Sequence, residues 1–89
     1  MVSVKSIVLD VLKPHQPNAL DFSKAIAEVG DDYHVHLDVI EVDEKTESVK
    51  IIIYAEAIDF DAINTVISSL GASLHSIDEV EVRSEGNME

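Results

Sequence analysis

Four histidines and eighteen carboxylates are the side chains of this chain best able to do chemistry, and their spacing sorts them into two constellations. The first joins Asp10 to His75, Asp78 and Glu79 of the stretch Leu74–Val80, "LHSIDEV". An imidazole beside carboxylates offers the nitrogen and oxygen ligands that suit a divalent cation. Crowded acids raise one another's pKa values, and a bound cation relieves that repulsion. The plainer alternative is solvated rim charge, with His15 and His75 acting as turn caps. The second constellation is His34-Val35-His36-Leu37-Asp38. On a strand, residues i, i+2 and i+4 share a face, so two imidazoles and a carboxylate line up there. Such a pair takes zinc or another transition metal only when further ligands close the site, and Asp31, Asp32 and Glu56 are the candidates. The plainer alternative is a pair of histidines on a half-exposed sheet face.

Other chemistries have little support. Cysteine is absent, and no serine stands in a G-x-S-x-G elbow. Glycine occurs only at 30, 71 and 86, too sparsely for a phosphate cradle. The run "DEKTE" has the acids of a calcium loop without its glycine or distal glutamate. His75 with Asp78 is conceivable as a general acid–base pair, but nothing in the sequence shows a pocket around it.

These residues depend on elements that the pattern makes visible. Ile7, Leu9 and Val11 alternate with Val8, Asp10 and Leu12 in a first strand, which Pro14 and Pro17 end. Asn18 can cap a helix over 18–29, with Gly30 as a left-handed stop. Strand rhythm returns in "YHVHLDVIEVD", turns at "EKTES" and continues in "VKIIIYAE". Asp59 can cap a second helix with an apolar stripe of Phe60, Ile63, Ile67 and Leu70, stopped by Gly71. The last strand covers about 75–83. Ile77 and Val80 differ in parity, so facing both toward the helices requires an extra residue, a bulge, at Asp78-Glu79.

The order β-α-β-β-α-β predicts an α+β, ferredoxin-like sandwich: a four-stranded antiparallel sheet, order 4-1-3-2, with two helices on one face. Residues 1–83 form this single domain and 84–89 a flexible C-terminal tail. Parity leaves Val8, Asp10, Leu12, His34, His36, Asp38, Ile40, Val42, Lys50, Ile52 and Tyr54 on the open face. Its apolar members predict a patch covered by another subunit, and the outer strands 2 and 4 offer edges for association. One rim of the sheet should gather Lys13, His15, Asp43, Glu44, Glu47 and His75, with Asp10 just inside it beside Asp78 or Glu79.

Composition bounds the partners. The chain is 46% hydrophobic, which fits a packed domain, and its net charge of −12 repels nucleic acid and anionic membrane surfaces alike. No apolar run approaches the ~20 residues of a bilayer span, and the N-terminus does not read as a signal peptide, so the cytoplasm is expected.

The stretches "IVLDVLKPHQP" (7–17) and "GASLHSIDEVEV" (71–82), with "IEVDEKTESVKI" and "IDFDAI", resemble a small archaeal family catalogued as domain of unknown function 211. The likeness covers nearly the whole chain. It implies the same fold, an archaeal origin and a homo-oligomer, and it brings no established activity. Asp10, Lys13, Pro14, His15, His75, Asp78 and Glu79 fall on its motifs; "DDYHVHLD" does not. Three readings follow in order. The first is a non-catalytic oligomeric binding module holding a divalent cation or small ligand at the sheet rim or between subunits. The second is an acidic adaptor or structural protein for a basic protein partner, and the third a metal-dependent enzyme using Asp10, His75 and Asp78.

Overall fold

A computed structural model describes residues 1–86 of the chain. The elements run β1 (Val2–Pro14), α1 (Ala19–Ala27), β2 (His34–Val42), β3 (Thr46–Tyr54), α2 (Phe60–Ser69) and β4 (Ser73–Ser84). Every strand pair is antiparallel and the sheet order is β2-β3-β1-β4, the expected order read from the other edge. The fold is α+β and ferredoxin-like. Ile7, Leu9 and Val11 of β1 and Val49, Ile51 and Ile53 of β3 meet Phe22, Ile26, Ile63 and Ile67 of the two helices in one core. Burying these aliphatic and aromatic side chains is the main stabilising term.

Local chemistry sets the helix ends. Asn18 Oδ1 accepts from the Asp21 amide at 2.8 Å, and Asp59 Oδ1 from the Ala62 amide at 3.1 Å, so both helices start on side-chain caps. At the end of α2 the Gly71 amide donates to the Ser68 carbonyl and the Ala72 amide to that of Ile67. This paired closure puts Gly71 at φ +83°, where a side chain is strained. An added Cβ would stand 3.6 Å from Pro14 Cγ, an ordinary contact, so Gly71→Ala is expected to cost only the strain, about 1–2 kcal/mol, in a denaturant melt.

Gly30 departs from expectation. Helix α1 stops at Ala27, with Glu28 as its cap, and Gly71 is the only glycine with positive φ among the described residues. Gly30 instead makes room: a Cβ there would lie 2.6 Å from the Tyr33 ring, whose hydroxyl accepts from the Asp59 amide. The first residues of the expected 84–89 tail are held by the fold. Ser84 closes β4, and Glu85 bonds the Lys5 ammonium and the Ser3 hydroxyl. Residues 87–89 of the expected tail lie outside the described residues.

The sheet contains four single-residue irregularities. On β4, Val8 and Leu9 face Glu79 and Ile77, so Asp78 is extra, and Asp10 and Val11 face Ser76 and Leu74, so His75 is extra. Lys5 is extra on β1, and Ile40 on β2. The Ile40 bulge corrects the expected open face: beyond it Glu41 registers with Ser48, and Val42 with Glu47, so Val42 leaves that face. Val8 is only 7% exposed although it lies there. Leu12 and Tyr54 stay exposed on the open face, while most of the exposed apolar strand surface lies on the edge strands: Val39, Ile40 and Val42 of β2 and Ile77, Val80 and Val82 of β4.

Candidate functional site

Register arranges the open face in rows across the sheet. His34, Tyr54 and Ser6 form one; His36, Ile52, Val8 and Glu79 the next; Asp38, Lys50, Asp10 and Ser76 the third. The third row alternates acid, base and acid over β2, β3 and β1. Beside it, the bulge brings His75 back over β1, where its Nδ1 stands 3.4 Å from Asp10 Oδ2. Asp10, Val11, Leu12, Ser48 and His75 line a shallow pocket of about 250 Å³. Its walls combine a carboxylate, an imidazole, a hydroxyl and an aliphatic side chain, a set able to orient a small polar ligand.

The other residues of the first constellation stand apart. Asp78 Oδ1 accepts from the Ser76 hydroxyl at 2.7 Å, and Glu79 is opposite Val8 rather than Asp10. The two bulges on β4 shift the register by which simple alternation had set Asp10 beside them. In the second constellation, His36 Nε2 lies 3.3 Å from Asp38 Oδ1, while His34 meets the Tyr54 ring edge-on at 5.9 Å between centroids. Asp32 Oδ2 accepts from the Glu56 amide and the Glu56 carboxylate pairs with Lys5, so both are engaged away from the histidines. Among the described residues, no three His, Asp or Glu side chains are grouped closely enough to hold one metal ion together.

The rim is organised differently from a ligand shell. Lys13 shares the parity of Ile7, Leu9 and Val11, and its side chain is 0% exposed. Its Nζ donates to Glu47 Oε1 at 3.0 Å and to the Pro14 carbonyl at 2.9 Å, and lies 5.7 Å from the Phe22 ring centroid. His15 completes the cluster, with Nδ1 3.0 Å from Glu47 Oε2 and Nε2 2.9 Å from the Glu44 carbonyl. Both partners are acceptors, so the ring satisfies them together only as imidazolium. The Glu47 carboxylate, then the Glu44 carbonyl, raise the His15 pKa; His15, then Lys13, lower that of Glu47. The segment Lys13-Pro14-His15 therefore locks β1 onto the β2–β3 hairpin. Parity was the available signal for Lys13, and it outweighs the ordinary expectation that lysine is exposed.

This lock sets a pH window. A raised His15 pKa contributes stability that is complete below its ordinary value of 6.5 and lost as pH rises through the folded value. A lowered Glu47 pKa contributes stability present above its ordinary 4.5 and lost as pH falls through the folded value. Thermal melts should show this contribution at its fullest between these two ordinary values. His15→Gln should flatten the alkaline decline and weaken the acid one, to which Lys13 still contributes.

At the opposite end Lys5 joins Glu56 and Glu85, tying β1 to the segment after β3 and to the end of β4. Those bonds raise the Lys5 pKa and lower that of Glu85. Glu56 is exposed, whereas Lys5 is largely covered, and the two contacts fix the position of β1 against its neighbours. No helix among the described residues is long and apolar enough to cross a membrane.

Two comparisons place this geometry among known proteins. The DUF211 family model, described as uncharacterized ArCR, matches residues 5–85. An uncharacterized protein of Methanocaldococcus jannaschii is 42% identical over 80 residues, spanning 90% of this chain and 82% of that protein. The match takes in the pocket, the Lys13–Glu47–His15 lock and both edge strands.

Proposed function

The chain belongs to the archaeal DUF211 family, and from that premise we propose a cytoplasmic, non-catalytic, homo-oligomeric module that binds a small ligand or cation in its open-face pocket. The observation that carries this reading is a division of surfaces. Most exposed strand aliphatics lie on the two edge strands, where unpaired backbone groups favour association, while the polar pocket lies on the open face. Association through the edge segments Val39–Val42 and Ile77–Val82 leaves Asp10 on the inner strand β1 accessible, which association through the open face would not.

A net charge of −12 per copy opposes assembly, so apolar contact must outweigh repulsion, and added salt should strengthen association by screening. Sedimentation velocity tests this. The expected result is an oligomer whose formation increases with salt and which Ile40→Glu or Val80→Glu dissociates without loss of fold. A monomer at millimolar concentration and high salt would refute the assembly. An assembly driven by a basic partner, the adaptor reading, would instead weaken as salt rises.

A further inference from the structure

We infer that copies of this chain associate through unlike edges, β2 of one copy pairing with β4 of the next, so that His34 and His36 stand opposite the partner's Glu81 and the partner's Glu79. This rests on the reading of the edge strands as the assembly surface and names which edge meets which. Within one copy, β2 runs antiparallel to β4. Two copies in the same orientation therefore set β2 antiparallel to the β4 beside it, where inter-strand hydrogen bonds run perpendicular to the strands. Both strands are outermost in the sheet, and among the described residues no backbone hydrogen bond covers their outer sides.

The rows of the sheet choose the level of the contact. On the helix face one row runs Val35, Ile53, Ile7 and Val80, the next Leu37, Ile51, Leu9 and Ile77, and the third Val39, Val49, Val11 and Leu74. On the open face His34 begins a row that ends at Glu81, His36 one that ends at Glu79, and Asp38 one that ends at Ser76. When two copies lie level, every row continues into its neighbour. Aliphatic then meets aliphatic on the helix face, while imidazoles meet carboxylates on the open face and Asp38 meets the partner's Ser76 hydroxyl. The acids of β4 thus face the least acidic part of β2.

The bulges make this match. Leu74, Ile77 and Val80 stand three residues apart, and a regular strand would alternate them between faces. The extra residues His75 and Asp78 return all three to the helix face. There Ile77 and Val80 are 49% and 55% exposed, although Leu9 and Ile7 beside them on β1 are buried. A second β2 supplies the missing cover. Like edges fit less well. Strand β4 against itself, with its valines matched, sets Glu81 against the partner's Glu81, a like-charge pair. Strand β2 against itself, centred on Leu37, sets His36 against the partner's Asp38 but leaves Ile77 and Val80 bare.

Directed cross-linking tests the pairing, because the chain has no cysteine of its own. Opposed residues of an antiparallel pair have Cα atoms about 4.5–5.5 Å apart, within reach of a disulfide. His36→Cys and Glu79→Cys proteins should oxidise to a covalent dimer when mixed, and neither should do so alone. In one copy these residues stand at opposite edges of the sheet, so coupling between them acts between copies. Sedimentation should accordingly show His36→Glu weakening association roughly fivefold, with Glu79→Lys restoring it in the double variant. Glu28→Lys, the same charge change at the end of α1, should not restore it. Circular dichroism verifies that each variant folds. A cross-link formed by Leu37→Cys alone, or a sedimenting assembly without the mixed cross-link, would overturn this pairing and leave the assembly reading standing. A monomer at millimolar concentration and high salt would remove both.

Discussion

Glu47→Gln is expected to lower the Tm by at least ~10 °C at neutral pH, while Lys13→Met, at the other end of the same ion pair, shifts it by less than ~5 °C. The asymmetry follows from where each charge lies. Lys13 is fully enclosed, and its ammonium faces Glu47, the Pro14 carbonyl and the Phe22 ring. Removing the carboxylate leaves a buried cation with no counter-charge, held only by the Pro14 carbonyl and the Phe22 ring, which offset less of its desolvation. Removing the ammonium with Met preserves the packed chain and leaves Glu47 paired with His15. The double variant should therefore recover most of what Glu47→Gln loses, a coupling that a thermodynamic cycle measures directly. Equal losses in the two single variants would show that the pair acts as a surface salt bridge.

Phe22→Ala should destabilise by about 3–5 kcal/mol. For a domain of this size the whole stability is on the order of 5–13 kcal/mol, so the variant would be partly unfolded on mild warming. Phe22 is fully buried on α1 and touches two systems at once. Its ring fills the core between the helices and the sheet, and its face receives the Lys13 ammonium. Phe22→Leu keeps most of the volume and loses the aromatic face, so it separates the contributions. Denaturant melts should give Phe22→Leu a loss well under half that of Phe22→Ala. Similar losses would mean that the ammonium–ring contact dominates.

The fold was legible in the sequence because its signals agree. Period-two runs, two capped amphipathic helices and short turns leave one compact topology, and Asn18, Asp59 and Gly71 take their expected roles. Parity failed where the chain inserts a residue. The Asp78 bulge could be read because Ile77 and Val80 conflict in phase, and the same conflict separates Leu74 from Ile77 around His75 and Val39 from Val42 around Ile40. Phase marks only the interval, and the register of the partner strand identifies which residue within it is extra. For this reason Asp10 meets His75 without Asp78 or Glu79, and most of the exposed apolar strand surface lies on the edges. Lys13 stands on the rim beside Glu47 and His15 as topology placed it, but its full burial is a further finding. Parity points its stem toward the core, but the enclosure comes from packing against Phe22 and from Glu47, 34 residues away in sequence. Gly30 shows the same limit: its role is to admit the Tyr33 ring rather than to turn the backbone.

The central claim, that the open face binds while the edges assemble, is tested most directly by one amide and side-chain NMR titration. Uniformly labelled protein would be titrated with a panel of small amines, carboxylates and divalent cations. The expected result is saturable shifts confined to the pocket lined by Asp10, Leu12, Ser48 and His75, with Val39–Val42 and Ile77–Val82 unmoved. Shifts concentrated on those edge segments, or no shift of the pocket residues with any member of the panel, would contradict it.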